Sequence, residues 1–395
     1  MDDRFPQQVH SSTVASTVRS ADEQVLKRAS STIDGEEGEC RDGSTRDTVL
    51  PADMLPADML PADVLPQTSI VLNEPPVQVL EEADRSLQLG LTYLQNQCYP
   101  EALAALEQAL NRYMVLDFRA GQVQVLNYLT LAAYSNGDYQ NSIDSGQRTL
   151  VLAHQLDQHA IAIKVLGTIG NAYRHLGNPD RASHFQHESL ALAEKIGDHR
   201  GSMAALNNLG LVFKVTQDYA QAISYEKQAL TLARSLNDQS VEAQVLKNLG
   251  NAYYAIGESE TAIEYYRERL ALVRSMVNPR LEIQVLKHLS TACYSIGRPT
   301  EAIDHARDRL NLARTLEDVV GEEQALRSIA IFHEGLGQSS EAVDVQQQRL
   351  IAARLLGNAD LFLEVQADLK RLFCNLGDFD RANLVSQEHL ISEVG

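Results

Sequence analysis

Three groups of side chains in this 395-residue chain have types and spacings that suggest chemistry. His184 and His187 lie three residues apart on one predicted helix with Glu188 beside them, a set that could hold a metal ion. Their positions point outward and no third ligand is implied, so no metal centre is expected there. Cys293 and Cys374 stand at first-helix core positions where sister segments carry Tyr or Phe, and they read as small buried hydrophobes. The stretch Gly167-Thr-Ile-Gly170 has the glycines of a phosphate loop, but no strand precedes it and no Gly-Lys-Ser/Thr follows. It reads as a place of close packing. No GxSxG, HExxH or CxxC motif occurs. The chain has none of the constellations an enzyme needs, and neither a cofactor nor a resident metal is expected.

The elements that position these residues repeat. Aligned on itself at a shift of 40 residues, the chain places Leu110, Leu150, Leu190, Leu230, Leu270, Leu310, Leu350 and Leu390 in one column. A second column holds Ala102, Ala182, Ala222, Ala262, Ala302, Ala342 and Ala382, with Ser142 as its exception. A third holds Gly137, Gly177, Gly257, Gly297, Gly337 and Gly377, interrupted by Gln217. A fixed period of this size marks a solenoid. Within one unit, Leu246, Leu249 and Tyr253 share a helix face, and Gly250 beside them lets a partner helix come close. Ala262, Tyr265, Tyr266 and Leu270 form the matching stripe of the second helix. Gly257 sits where a helix C-terminus favours a left-handed residue, and Asp138, Asn178, Asp218 and Asp378 are placed to cap the helices that follow. A helix pair of this kind cannot bury its apolar face alone, so neighbours must stack on it.

The pattern L-x-x-L-G-x-x-Y, then Gly, then Ala five residues later, resembles the tetratricopeptide repeat. The usual unit has 34 residues, and the extra six here read as longer helices and a turn such as Ser235–Ser240. Forty-residue units with NLGNAY and an LALAEKIGD connection are similar to the extended arrays of the Pins/LGN cell-polarity adaptors and of bacterial regulatory and scaffold proteins. The resemblance implies an all-α fold, a right-handed superhelix of about eight helical hairpins. It also implies a binding surface on the concave side, lined by the first helix of each pair. Residues matching the groove positions include Lys164, Asn171, Arg174, Asn207, Lys214, Lys247, Asn251, Tyr254, Lys287, Tyr294 and Arg327. Across six units, 24 such positions carry six basic residues and one acidic one, on a chain of net charge −19. A locally basic groove would steer acidic segments into it. Asn amides can bond an extended peptide backbone, and the tyrosines add flat contact area. Lys247 with Asn251 resembles the Lys–Asn pair with which chaperone-binding tetratricopeptide domains clamp a C-terminal carboxylate, although Thr291 and Ile331 stand where further polar partners are expected.

Residues 1–76 differ in kind. They are rich in Ser, Thr, Asp, Glu and Pro, carry a net −8, and read as a disordered acidic tail with a possible short helix around Ala21–Ala29. Pro51-Ala-Asp-Met-Leu55 recurs at Pro56–Leu60 and Pro61–Leu65, and proline every fifth residue blocks regular helix and sheet. This segment reads as a semi-extended linker or as a short motif that docks into the chain's own groove. The array, residues 77–395, begins with a degenerate unit from Val79 to Tyr113. It ends with one whose Lys370 replaces a small residue, which suggests a slipped register or a C-terminal cap.

The acidic balance argues against nucleic acid and against an anionic membrane surface. Four cysteines without a spacing motif, no signal peptide and no membrane-length apolar run make a cytoplasmic location the expectation. The expected function is a non-catalytic adaptor that binds a protein or peptide segment, acidic or extended. The alternatives are a peptide-sensing regulator and an assembly factor or regulatory subunit of an enzyme complex. The sequence does not specify an oligomeric state.

Overall fold

The computed structural model describes residues 76–392, with side chains from 77 to 385. The expected tail, its Ala21–Ala29 helix and the Pro51–Leu65 pentapeptides lie outside the described residues.

Among the described residues there are sixteen helices and no strand. They are α1 Pro76–Gln95, α2 Tyr99–Val115, α3 Arg119–Ser135, α4 Tyr139–Gln155, α5 His159–His175, α6 Pro179–Ile196, α7 His199–Val215 and α8 Tyr219–Ser235. Then follow α9 Gln239–Ala255, α10 Ser259–Ser275, α11 Pro279–Ser295, α12 Pro299–Thr315, α13 Val319–Gly335, α14 Ser339–Leu355, α15 Ala359–Asn375 and α16 Phe379–Ser392. The helices pack as eight consecutive pairs, in two compact units that meet in sequence at Ile196 and Gly197. Inside each unit the second helix of one pair also packs on the first helix of the next.

The 40-residue period comes from 17-residue helices joined by three-residue turns. Two turns alternate, and both need a left-handed residue. In the turn inside a pair that residue is Gly257, at φ +84°. Its N–H donates to Tyr254 O and the next N–H to Tyr253 O, so the last carbonyls of α9 are satisfied. Gln217, the interruption in the glycine column, adopts the same conformation at φ 61°. The turn between pairs is left-handed as well, and there Asp117, Asp157, Asn237, Val277 and Glu317 all have positive φ. All four expected caps are made: Asp138, Asn178, Asp218 and Asp378 each accept from the backbone N–H three residues on. Asp198, Asp238, Asn278, Asp318 and Asn358 do the same after the other turn.

The core lies between the helices of each pair and between pairs. Leu246 and Leu249 are fully buried, and so is every alanine of the repeated column. Ser142, the exception, is also buried and donates its hydroxyl proton to Thr130 O over 2.9 Å, so its polar atom is satisfied. In several pairs the two helices interlock a small residue with a larger one. A Cβ at Gly250 would overlap the Tyr266 ring, one at Gly210 would meet the Glu226 side chain, and one at Gly170 would meet Gln186. In α3 and α4 the roles reverse, with Thr130 facing Gly146. In α11 and α12 the corresponding residues are Ser290 and Ala306, both buried.

Of the two alternatives that Lys370 raises, the slipped register is corrected, and so is the expected burial of one of the two cysteines. The last pair keeps the 40-residue register, with α15 starting and ending 40 residues after α13, and Lys370 is exposed rather than enclosed at a helix contact. Cys293 is buried, but Cys374 is exposed. It sits one residue past the buried Phe373, on the column of Tyr254 and Tyr294.

Candidate partner-binding face

The first helix of each pair presents a row of polar side chains. In the first unit, α5 carries Lys164 and Arg174, both half-buried, and Asn171, which is buried. Asn171 accepts from Gln186 Nε2 at 3.3 Å, so its amide oxygen bonds within its own pair. In the second unit, α7 carries Asn207 and Lys214, α9 carries Lys247, Asn251 and Tyr254, α11 carries Lys287 and Tyr294, and α13 carries Arg327. Asn251 accepts from the Tyr266 hydroxyl at 2.7 Å. Tyr254, Lys287 and Arg327 are exposed. Tyr294 is half-buried and stacks on Phe332 of the next first helix, ring centroids 4.5 Å apart.

Charge on this row changes along the second unit. Lys247, Lys287 and Arg327 occupy one repeat position on three successive first helices. Towards the C-terminus the cations meet carboxylates of the chain itself. Arg327 lies 3.6 Å from Glu364, and Arg371 donates to Glu334 at 2.7 Å. The Glu334 carboxylate, with Asp368 beyond it, holds the Arg371 guanidinium more firmly charged than usual.

Beneath the row lies a buried polar layer that sequence reasoning missed. Asn248, buried on α9, donates to Glu226 Oε1 at 2.9 Å and to Asn207 Oδ1 at 3.1 Å. Glu226 is 2% exposed, and burial pushes its carboxyl well above the usual carboxylate range. The Asn248 amide and the Lys214 ammonium oppose that shift. Arg269, Arg309 and Arg349 form a column of buried arginines, each one residue before the repeated leucine. Arg349 is met by Glu323, Glu364 and Asp368 at 2.6, 3.0 and 3.5 Å. Arg309 donates to Gln324 at 2.7 Å instead, and burial lowers its pKa. The available signal was three arginines at the period of the leucines.

The other sequence candidates are placed as follows. His184 Nε2 lies 3.4 Å from Glu188 on an exposed helix face, and among the described residues no third ligand joins them. Gly167 and Gly170 lie within α5, and Gly170 makes room for Gln186. Among the described residues, no helix is long and apolar enough to cross a membrane.

Models of the tetratricopeptide repeat match residues 87–157 and, in overlapping windows, 161–235, 202–275 and 241–315. No curated protein sequence matches the chain. Solved structures share its fold at low identity. A Pyrococcus horikoshii signal-transduction ATPase of the STAND type with a tetratricopeptide repeat sensor is 16% identical, with a TM-score of 0.60 over 75% of this chain and 45% of that one. This chain therefore spans less than half of that protein's length. The apo quorum sensor NprR of Bacillus thuringiensis is 16% identical, with a TM-score of 0.51 over 77% and 85% of the two chains. Aspartyl phosphate phosphatase F of Bacillus subtilis is 15% identical, with a TM-score of 0.51 over 75% and 71%.

Proposed function

Because the chain belongs to the tetratricopeptide-repeat family, we propose that it is a non-catalytic interaction scaffold of the cytoplasm. It holds an acidic or extended segment of a partner protein against the polar face of its first helices. The observation that carries this reading is the row Lys247, Lys287 and Arg327, the same position in three consecutive pairs of an otherwise acidic chain. In the same unit Lys214 adds charge of the same sign, and Asn207, Asn251, Tyr254 and Tyr294 offer hydrogen bonds and flat apolar area; in the first unit, Lys164 and Arg174 carry charge of that sign on α5. Asn171 contributes less directly, since its side chain is buried.

The test compares wild type with the triple variant Lys247→Glu, Lys287→Glu, Arg327→Glu, once circular dichroism shows equal helix content. A partner captured from native lysate by wild type and lost by the variant supports the reading. Binding of acidic synthetic peptides that weakens with salt and vanishes in the variant supports it as well. A partner retained equally by both moves the site off this face.

A second reading is peptide sensing, for which the shared fold of the quorum sensor NprR is the reason. It requires a free short peptide to bind as tightly as the protein it comes from. A third, a regulatory subunit of an enzyme complex, requires co-purification with an enzyme in fixed stoichiometry.

A further inference from the structure

Three consecutive pairs build the same contact between their two helices. Tyr173 stacks on Phe185, Phe213 on Tyr225 and Tyr253 on Tyr265, with ring centroids 5.4 Å apart each time. One repeat further on, the two positions hold Cys293 and His305. Glu301 stands one helical turn before His305 on α12. Cys293 Sγ, a Glu301 carboxylate oxygen and a His305 ring nitrogen all lie within 4.8 Å of one another. The thiol is buried, while the Glu301 and His305 side chains are 31% and 19% exposed, which leaves a path from solvent. His305 Nε2 is buried without a hydrogen bond among the described residues, 3.8 Å from Glu301 Oε1. A polar atom at the focus of three ligand groups thus lacks the partner that burial demands.

We propose that Cys293, Glu301 and His305 form a binding site for a thiophilic divalent cation, with zinc the best match to this ligand set. Thiolate, imidazole and carboxylate are the groups zinc takes, and three of them leave a fourth position for water. The four-residue spacing puts Glu301 and His305 on one face of α12, and the thiol comes from α11 opposite. The ion therefore ties the two helices together where the three preceding pairs use aromatic rings. This site is independent of the partner-binding reading.

The electrostatics set its conditions. Burial raises the Cys293 thiol to about 11 and lowers the His305 imidazole, so the resting groups are a thiol and a neutral ring. The neutral ring ligates as it is, whereas the thiol gives up one proton to solvent as the cation binds. Arg267 pairs with Glu301, and Arg298 lies 3.8 Å from it, so the cation shares this carboxylate with two guanidiniums. Glu260, 2.6 Å from Arg298, offsets part of that charge, as do Asp304 and Asp308 on α12.

The experiment titrates the full-length chain, reduced and freed of metal by a chelator, first with Co²⁺ and then with Zn²⁺. The expected result is one Co²⁺ per chain with a sulfur-to-cobalt charge-transfer band, bleached by Zn²⁺. Cys293→Ser abolishes the band. His305→Ala weakens Zn²⁺ binding by at least about tenfold, since loss of even an outer-shell partner costs that much. The double variant Cys293→Tyr, His305→Tyr restores the ring pair of α9 and α10 and serves as a folded control that binds nothing here. Absence of the band in wild type overturns the proposal. So does its survival in Cys293→Ser or in the double variant, because the thiolate ligand then comes from another cysteine.

Discussion

Arg349 Nε donates to Glu323 Oε1 across 2.6 Å, and the guanidinium that does so is 1% exposed. The two residues belong to α14 and α13, so this ion pair joins the helices of one repeat inside the protein. Replacing the arginine strands a buried carboxylate. We expect Arg349→Met to cost about 3 kcal/mol in urea unfolding, because an unpaired buried charge is far more costly than a missing pair. Arg349→Met with Glu323→Leu should recover most of the loss. Equal destabilisation of the single and double variants would rule out the stranded charge as the cause.

The interlock between Gly250 and Tyr266 yields a second test. Gly250→Ala drives a methyl group into the Tyr266 ring and should cost about 1–3 kcal/mol. Combining Gly250→Ser with Tyr266→Ala copies the Ser290 and Ala306 pair found in α11 and α12. The combination should be more stable than the sum of its single changes, as a double-mutant cycle would read.

Glu226 links stability to pH. Its folded carboxyl stays protonated to a higher pH than the unfolded one, because burial disfavours the charge. Below the unfolded value both states are protonated and nothing is lost. Above about pH 4 the unfolded state ionises first, so stability falls as pH rises towards the folded value. Glu226→Gln keeps an acceptor for Asn248 and removes the titration. Its melting temperature should therefore gain on wild type as pH increases, and a gap that stays constant from pH 4 to 8 would contradict this.

Val277 is a β-branched residue at φ 52° and 83% exposed. Its backbone conformation carries a penalty with no packing to offset it. Val277→Gly should stabilise the chain by about 1 kcal/mol in thermal or chemical unfolding, and a loss of stability would show that the strain is not stored there.

What was legible in the sequence is what packing forces to recur. The Leu110-to-Leu350 and Ala102-to-Ala382 residues face contacts between paired helices, and Gly257 answers a turn that only a left-handed residue can form. The second turn was legible at Ser235–Ser240, but its left-handed residue was hidden, because Asp117, Asp157 and Asn237 tolerate that conformation without announcing it. The polar layer was hidden for a different reason. Asn248 reaches Glu226 and Arg349 reaches Glu364 across repeat boundaries, so each bond depends on two positions that vary from repeat to repeat. Of the expected face, Lys287 and Arg327 are placed outward, whereas the Asn171 side chain is buried. Cys374 was misassigned by a single residue, the difference between the Phe373 column and the Tyr254 column.

A chain made of similar segments risks joining the wrong ones while it folds. The small-and-large contacts between paired helices guard against that error. If α11 packed on α10 in the register it uses with α12, Ser290 would run into the Tyr266 ring. If α9 met α12, Gly250 opposite Ala306 would leave a void. α9 and α11 thus fit their own partners better than each other's. The same lock-and-key pairing makes the repeats poor spare parts: deleting or transplanting a unit should be tolerated when the cut falls between pairs and not when it falls within one.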